Sequence, residues 1–323
     1  MIDTGLIDMI LLAFLVAITW AIVRLRDLFG AVMLTGIFSL ISACLFMVMD
    51  AVDVAFTEAA VGAGISTVLM LRTLALTKGR SEPHHNRLEL GPLLLVVVIG
   101  AILIYGTFDM PRYGDPQAPV HTEMAARFIE QSGEEIGIPN IVTSVLGSYR
   151  GYDTFGETTV VFTAAIGVFL LLGVPRRGRR AGDALRNDIV LRISAKALIP
   201  LIMVFALYVQ FHGDYGPGGG FQAGVIWAAA IVLYTLVFGL ARAEKIFRRR
   251  PLELLVAGGV LLYGAVGVVT MALGGNFLDY DYLASDPVAG QHYGILLIEL
   301  GVGITVAAVM VALFFLFVRR RQV

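Results

Sequence analysis

The chain has 323 residues, of which 58% are hydrophobic and only 15% are charged, and its mean hydropathy is +0.82. A soluble domain has about 45–50% apolar and about 25% charged residues, so this chain has too few polar side chains to cover a water-soluble body of its size. The formal net charge of -1 gives no electrostatic basis for nucleic-acid binding, and we expect no nucleic-acid partner. The single cysteine, Cys44, excludes a disulfide within the chain and is predicted to be a buried, inert thiol.

Nine apolar runs are long enough to cross a bilayer, since a spanning helix needs about 20 mostly apolar residues. In chain order the predicted spans are Ile2–Val23, Leu28–Met49, Val52–Leu74, Leu90–Phe108, Gly156–Leu172, Ile189–Phe211, Phe221–Leu240, Leu252–Leu273 and Tyr293–Val318. The first run has no preceding basic residue, unlike a cleaved signal peptide, so we expect it to remain as the first helix. The sequence therefore predicts an all-α integral membrane protein of about nine transmembrane helices.

Most of the positive charge lies on one side of these spans. Twenty of the 24 Lys and Arg residues lie at or after the ends of the first, third, fifth, seventh and ninth spans. The exceptions are Arg112, Arg127, Arg150 and Lys196. Because cytoplasmic loops of membrane proteins are enriched in Lys and Arg, we expect the N-terminus to lie outside and the C-terminus in the cytoplasm.

Two segments between spans differ from the rest in charge. The acidic segment from about Asp109 to Asp153 has apolar residues at helical spacing, which predicts two short amphipathic helices on the outer membrane face or on a partner. Its acidity alternatively enriches cations at the mouth of a pathway. The basic stretch 175–188 is predicted to be a cytoplasmic linker between a five-span module, residues 1–174, and a four-span module, residues 189–323.

Ionisable residues within spans are candidates for ion or proton transfer, because each costs about 2.5–3.5 kcal/mol on insertion scales. Glu58 lies in the third span near Gly62 and Gly64, which weaken the helix locally. Lys196 lies about two turns into the sixth span, ahead of Pro200, which favours a kink. Alternatively, Glu58 is a solvated or paired carboxylate near the interface, and Lys196 extends its ammonium to the cytoplasmic interface.

Two more carboxylates lie in predicted spans. Glu157 opens the fifth span with Asp153 one turn earlier, and paired carboxylates at an entrance can hold a cation such as Na⁺ or pass protons. Glu157 is alternatively a first-turn residue that interacts with the helix dipole. Glu299 lies about two turns into the ninth span, where it serves either an ion path or a hydrogen bond to a neighbouring helix.

The connection between the sixth and seventh spans, FHGDYGPGGGFQAG, cannot be regular helix because Pro217 is followed by three glycines. Irregular backbone at membrane depth persists only inside protein or beside water, so His212 and Asp214 are candidates for proton exchange. The alternative, which the composition favours, is a tight turn with glycines spaced for close helix packing. Those glycines are Gly216, Gly220 and Gly224.

Motifs for other chemistry are missing from the sequence. It has no phosphate-binding Walker loop, no cysteine cluster, no nucleophile elbow and no helical pair of metal-binding histidines. We therefore expect neither a cofactor nor an enzymatic reaction. What remains is a role in moving ions or protons, or in supporting a protein that does.

Three strings resemble parts of known membrane complexes. HGDYGPGGGFQAG, preceded by a lysine-bearing span, resembles the B subunit (MnhB) of Mrp-type Na⁺/H⁺ antiporters, and this likeness extends from about Asn187 to the end. DVAFTEAAVGAGISTVLM, Asp53 to Met70, resembles the MbhD-like part of the large A subunit. YDTFGETTVVFT, Tyr152 to Thr163, resembles the MbhE-like part that follows it. The chain thus resembles the tail of an A subunit fused to a B subunit.

The resemblance implies a function and a set of partners. It implies that Glu58 and Glu157 lie on or near the ion route and that Lys196, His212 and Asp214 belong to the B-type domain. It implies a multi-pass subunit of the cell membrane, unable to transport alone, that handles Na⁺ and H⁺ among lipid, smaller hydrophobic subunits and fourteen-span antiporter-like subunits. The alternatives are a subunit of a redox-driven complex such as a membrane-bound hydrogenase, and a purely structural scaffold.

Overall fold

The computed structural model describes residues 4–77, 90–173 and 188–320. Within these residues the regular structure is helical, and nine helices are long and apolar enough to cross a membrane. The predicted all-α fold and the number of spans are therefore confirmed. The direction in which the chain crosses the bilayer stays a prediction.

The first half of the described chain contains five long helical stretches. They are α1 (Thr4–Arg24), α2 (Leu28–Val48), the span formed by α3 (Val52–Glu58), the π-helical residues Ala59–Ser66 and α4 (Thr67–Thr77), then α5 (Leu90–Thr107) and α8 (Gly151–Leu172). Two short helices, α6 (Ala126–Glu135) and α7 (Ile141–Thr143), lie between α5 and α8. Helices are therefore present where the amphipathic spacing predicted them.

The second half contains four spanning helices and one short helix. They are α9 (Ile189–His212), α10 (Gly220–Phe238), the short α11 (Leu240–Ile246), α12 (Arg249–Ala272) and α13 (Pro287–Arg320). Helix α10 lies between α9 and α13, and α13 also packs along α12.

The third span is irregular in its middle. Its π-helical residues Ala59–Ser66 include Gly62 and Gly64, as expected from the low helix propensity of glycine. The hydroxyl of Thr67 donates a hydrogen bond of 3.3 Å to the carbonyl of Gly62, five residues earlier. Because π-helical turns are frequent at functional sites, this segment directs attention to the residues around Glu58.

Two helices begin earlier than hydropathy predicted. Helix α8 begins at Gly151 and α13 at Pro287, so Glu157 lies nearly two turns and Glu299 more than three turns inside their helices. The reason is that hydropathy marks only the apolar part of a helix. Here the polar first turns are covered by the chain itself, as where the buried Tyr263 donates a 2.7 Å hydrogen bond to the carbonyl of Gly151.

The larger hydrophobic core of the described residues joins the two predicted modules. Its largest buried side chains include Tyr263, Tyr280 and Phe314, and the core continues into the first half through Ala165. The ring of Phe155 lies 5.1 Å from that of Tyr263. Most of the predicted linker lies outside the described residues, so the module boundary stays a prediction.

One expectation about the surroundings of a side chain needs correction. Cys44 is exposed on the surface of α2, so the prediction of a buried thiol is wrong for this chain. Lipid tails are as apolar as leucine, so an apolar run in a membrane protein does not imply burial. In the acidic segment, Ile136 and Ile138, which follow α6, are buried in the chain's own core, and the place of the amphipathic helices on the outer membrane face or on a partner stays a prediction.

Glycines permit the close crossing of α12 and α13. A methyl group at Gly259 would collide with the carbonyl oxygen of Gly301 and the hydroxyl of Thr305, whereas one at the neighbouring Gly258 would meet nothing within 4 Å. The two positions therefore offer a matched pair with opposite expected effects.

Gly259→Ala should destabilise the chain by about 1–3 kcal/mol, because overpacking separates the two helices. Gly258→Ala should be neutral or stabilising by up to about 1 kcal/mol, because alanine is the better helix former. The measurement is the thermal midpoint of each purified variant in detergent. Equal midpoints would contradict the close crossing.

Candidate functional site

A polar cavity of about 360 Å³ lies where α3, α8, α10 and α13 meet the connection between α9 and α10. Its lining combines carboxylates, hydroxyl and amide groups with a run of glycines. The lining includes Asp53, Thr57, Thr154, Glu157, Gln222, Glu299 and the glycines 218–220. This cavity brings together ionisable residues from distant parts of the sequence and is the candidate functional site.

The glycine loop, residues 213–219, forms one wall of the cavity. It closes where the amide of Gly219 donates a 3.0 Å hydrogen bond to the carbonyl of Val209 in α9. Gly219 has φ of 120°, a conformation that side chains disfavour, so a glycine is required there. The amide of Gly218 donates a 3.0 Å hydrogen bond to a carboxylate oxygen of Asp53, which ties the loop to the start of α3.

The segment before α8 holds the loop from the other side. The side-chain amide of Asn140 donates to the carbonyls of Gly213 at 3.0 Å and Gly216 at 2.9 Å. The hydroxyl of the buried Thr143 donates to the carbonyl of Gly213 at 2.7 Å. The backbone amide of Asn140 also donates a 3.0 Å hydrogen bond to the carbonyl of Asp214. The loop is therefore held in one conformation by residues about 70 positions earlier in the chain.

Helix α13 supplies Glu299 beneath this loop. A methyl group at Gly220 would collide with the Glu299 carbonyl, so α10 and α13 cross here in backbone contact. The Glu299 carboxylate lies against the loop, because a methyl group at Gly213 or Gly219 would lie 3.2 or 3.1 Å from its oxygens. The predicted close packing of α10 through its glycines is thus confirmed for Gly220 and also for Gly224, which faces Gly303.

The ionisable side chains that line the cavity are acidic. Asp53, Glu157 and Glu299 all line it, and among the described residues that line it there is no Lys or Arg. Glu299 also interacts electrostatically with Asp53 and Asp214. Carboxylates that share a poorly solvated site cannot all be charged without a counter-ion, so this arrangement favours uptake of a cation or a proton.

Tyrosine hydroxyls join the rim of the cavity to α12 and α13. The buried Tyr280, between these two helices, donates a 3.0 Å hydrogen bond to the carbonyl of Gly147. Its burial raises the pKa of the Tyr280 hydroxyl, which keeps the group a neutral donor. Farther out, partial burial and a hydrogen bond to Glu135 raise the pKa of Tyr149 to about 12.

The structure separates Asp153 from the cavity. Asp153 pairs with Arg150, whose Nη2 atom lies 2.5 Å from its carboxylate, and both side chains are largely exposed. Glu157 lies one turn farther along α8 and lines the cavity. The predicted transient Na⁺ site between Asp153 and Glu157 stays a prediction.

Two other predicted residues lie outside the cavity. The Glu58 carboxylate lies on the other side of its helix, where it and the hydroxyl of the buried Ser39 in α2 both approach Gly62. Lys196 is exposed on α9 and has no ion pair or hydrogen bond with the described residues. Their predicted role in the ion path stays a prediction.

The two loop residues are near the cavity but do not line it. The ring of His212, the last residue of α9, stacks on Tyr208 with centroids 4.8 Å apart. The Asp214 carboxylate lies 3.2 Å from Nδ1 of His292 in α13, and this pair is partly buried. His212 therefore immediately precedes the glycine loop, and Asp214, which lies within the loop, links it to α13.

Sequence reasoning missed several residues of this site, among them Asp53, Thr57 and Asn140. Asp53 and Thr57 are four residues apart, which puts them on one face of α3, but the prediction for this span named only Glu58. Asn140 gave no signal, because its partners Gly213 and Gly216 are more than 70 residues away. Among the described residues, no group of three or more His, Cys, Asp or Glu side chains has the arrangement of a metal site.

Family models match three stretches of the chain. Residues 190–312 match a domain related to the MnhB subunit of Na⁺/H⁺ antiporters. Residues 13–79 match MbhD, the D subunit of MBH, and residues 92–190 match MbhE, the E subunit of MBH. These are the three regions in which the sequence resembled such subunits.

Relatives and solved structures agree with these matches. The probable K⁺/H⁺ antiporter A/B subunit of Rhizobium meliloti (strain 1021) is 26% identical over 84% of this chain and 30% of its own length. The putative antiporter subunit mnhB2 of Staphylococcus aureus (strain Newman) is 33% identical over 39% of this chain and 90% of its own length. In the Mrp complex from Dietzia sp. DQ12-45-1b, one chain superimposes with a TM-score of 0.75 and 27% identity over 95% of this chain.

A second structural relative comes from an archaeal respiratory complex, the membrane-bound sulfane sulfur reductase. Its matching chain has a TM-score of 0.54 and 29% identity, covering 72% of this chain and 97% of that one. The chain spans about a third of the length of the Rhizobium relative and of the matched Mrp chain, at 30% and 34%.

The fold defines a class, the multi-pass helical membrane proteins, and the solved relatives come from an Mrp complex and an archaeal respiratory membrane complex. Within that class, the chain belongs to the MnhB family, since it covers 90% of a family member at 33% identity. The family resemblance predicted from the glycine-rich string is therefore confirmed.

Asn140→Ala should destabilise the glycine loop by about 1–3 kcal/mol, because the Gly216 carbonyl loses its Asn140 donor and the Gly213 carbonyl keeps only the Thr143 hydroxyl. Thermal midpoints in detergent measure the effect, and protease sensitivity at the loop reports where the chain opens. Asn276→Ala removes an exposed amide that holds no such carbonyl and serves as the matched control. If both variants have the same thermal midpoint, Asn140 does not hold the loop.

Proposed function

We propose that this chain is a membrane subunit of a multi-subunit cation/proton antiporter and that its polar cavity is part of the ion and proton path. The observation that carries the proposal is the convergence of Asp53, Glu157 and Glu299 on one cavity beside the glycine loop. The names of the Rhizobium, Staphylococcus and Dietzia relatives support the antiporter class.

The chemistry of exchange follows from the charge of the cavity. Carboxylate, hydroxyl and carbonyl oxygens are suitable ligands for a hard cation such as Na⁺. When a cation enters, it stabilises the ionised form of a glutamate side chain, so the protonated carboxyl group releases its proton. When a proton returns, the carboxylate becomes neutral and the cation leaves. Glu299, which is central in α13, and Glu157 are the proposed exchange groups.

The remaining predicted residues extend this path. Asp214 with His292, and His212 beside them, lie where ions would pass the glycine loop. Glu58 lies across the same helix as Asp53, next to a π-helical segment that can change its hydrogen bonding. We assign the outer membrane side to the acidic segment because arginines dominate the opposite ends of the helices.

The chain is proposed to act with partners in the cell membrane. It spans only about a third of its antiporter relative, so transport would need further subunits, among them antiporter-like fourteen-span subunits and smaller hydrophobic ones. Helix α5 has no buried residue in this chain, which leaves its whole surface for lipid or another subunit. On this proposal the chain is a transporter component and not an enzyme.

A second candidate function is membership of a redox-driven membrane complex. The observation in its favour is the match to a chain of the sulfane sulfur reductase, together with the MBH family models. Co-purification of iron–sulfur subunits with this chain would favour this candidate. Co-purification of antiporter-like subunits alone would favour the antiporter.

The test is Na⁺-dependent proton exchange in vesicles that carry the complete assembly. Glu299→Gln and Glu157→Gln should each lower exchange by at least about tenfold, or about 1.4 kcal/mol, because neither glutamine can bind and release a proton. Glu130→Gln, which changes an exposed carboxylate of α6 that does not line the cavity, should exchange like the parent.

Native gels establish that each variant assembles. Full exchange in both cavity variants would remove the path from this chain and favour a structural scaffold. Lost exchange with an intact assembly would support the proposal.

A further inference from the structure

A second cavity has a very different lining. It is an elongated groove of about 240 Å³ between α9 and α12, with α10 and α13 as its floor. Its lining is apolar except for Gln210 and the indole nitrogen of Trp227, and it is bounded along α13 by Leu300 and Val311. The proposed transport mechanism uses none of it.

The dimensions of the groove select the kind of occupant. Leu300 and Val311 are eleven residues apart in α13, which corresponds to about 16 Å at 1.5 Å per residue. A volume of about 240 Å³ over that length makes the groove long and narrow, which suits a single unbranched hydrocarbon chain better than a helix about 10–12 Å across.

Two basic residues lie on the groove-facing sides of α9 and α12, toward the N-terminal ends of these helices. Lys196 precedes the groove residue Leu207 by eleven residues, or three turns, and therefore lies on the same face of α9. Arg248 precedes Leu252 by four residues and Leu255 by seven, which puts it on the groove face of α12. Both are exposed, and neither has an ion pair within the part of the chain that the structure describes.

We propose that this groove binds one acyl chain of an anionic phospholipid, whose phosphate is held by Lys196 and Arg248. The apolar lining takes the hydrocarbon, and the long Lys196 stem extends along it to the headgroup level. Basic residues beside an apolar surface at this end of the bundle are the recognised setting for anionic headgroups.

The groove lies next to the polar cavity, which indicates a role for the bound lipid. Gly303 lines the groove and Gly220 lines the polar cavity, and a methyl group at Gly303 would lie 3.1 Å from the Gly220 carbonyl. One layer of backbone therefore separates the two spaces. An acyl chain in the groove keeps water away from that thin wall, so that ions leave the polar cavity only along its own path.

Trp227 provides a direct probe, because it lines the groove and the chain has only one other tryptophan, Trp20. The purified Trp20→Phe chain is reconstituted in phosphatidylcholine vesicles that contain acyl-brominated phosphatidylglycerol or acyl-brominated phosphatidylcholine. Bromine quenches tryptophan on contact. We expect brominated phosphatidylglycerol to quench Trp227 at a several-fold lower mole fraction than brominated phosphatidylcholine.

Charge variants separate specific binding from general attraction. Lys196→Gln and Arg248→Gln should each reduce the preference for phosphatidylglycerol by about fivefold, which corresponds to about 1 kcal/mol per cation. Arg26→Gln removes one exposed charge from the same end of the bundle and should leave the preference unchanged. Ala307→Phe, which places a ring in the groove, should reduce quenching by both lipids, with helicity checked by circular dichroism.

Equal quenching by the two brominated lipids would overturn the proposal, since it indicates ordinary surrounding lipid. Absence of quenching by either would also overturn it. In the assembled complex, mass spectrometry of co-purified phosphatidylglycerol should show less lipid for the Lys196→Gln and Arg248→Gln variants. An unchanged amount would mean that another subunit covers the groove, and this would contradict the proposal.

Discussion

The close crossing of α10 and α13 is the contact on which the site depends. Gly220 lies against the Glu299 carbonyl with no room for a side chain. This contact fixes the Glu299 carboxylate beneath Gly213 and Gly219, at the mouth of the loop. Without this contact, α13 would not pack against the loop and the Glu299 carboxylate would have no defined position. Glycine at this crossing therefore allows the two helices to pack closely and also sets the position of the Glu299 carboxylate.

The second constraint is the clustering of like charges. Asp53, Glu157 and Glu299 share one cavity, and Asp53 is partly satisfied by the amide of Gly218. Carboxylates in such a site cannot all be ionised unless a cation or a proton compensates their charge. Such groups are costly within a membrane, and retaining three of them in one place is difficult to explain by stability alone.

The sequence predicted the spans well, because apolar runs of sufficient length have few other outcomes. It underestimated the depth of Glu157 and Glu299, because α8 and α13 continue through polar turns that distant tyrosines cover. It could not predict the hydrogen bond between Asp53 and Gly218, which joins residues 165 positions apart. Local patterns predict helices and flexible segments, whereas the cavity exists only after the helices have packed.

Thiol accessibility in the cavity tests this interpretation most directly. In a Cys44→Ser background, Thr57→Cys places the only thiol of the chain in the cavity wall. We predict that a charged, membrane-impermeant thiol reagent modifies it in the assembled complex. We further predict that Na⁺ slows the reaction, and that Glu299→Gln abolishes this protection. An unreactive thiol, or one whose reaction rate does not depend on Na⁺, would contradict a hydrated cavity that holds cations.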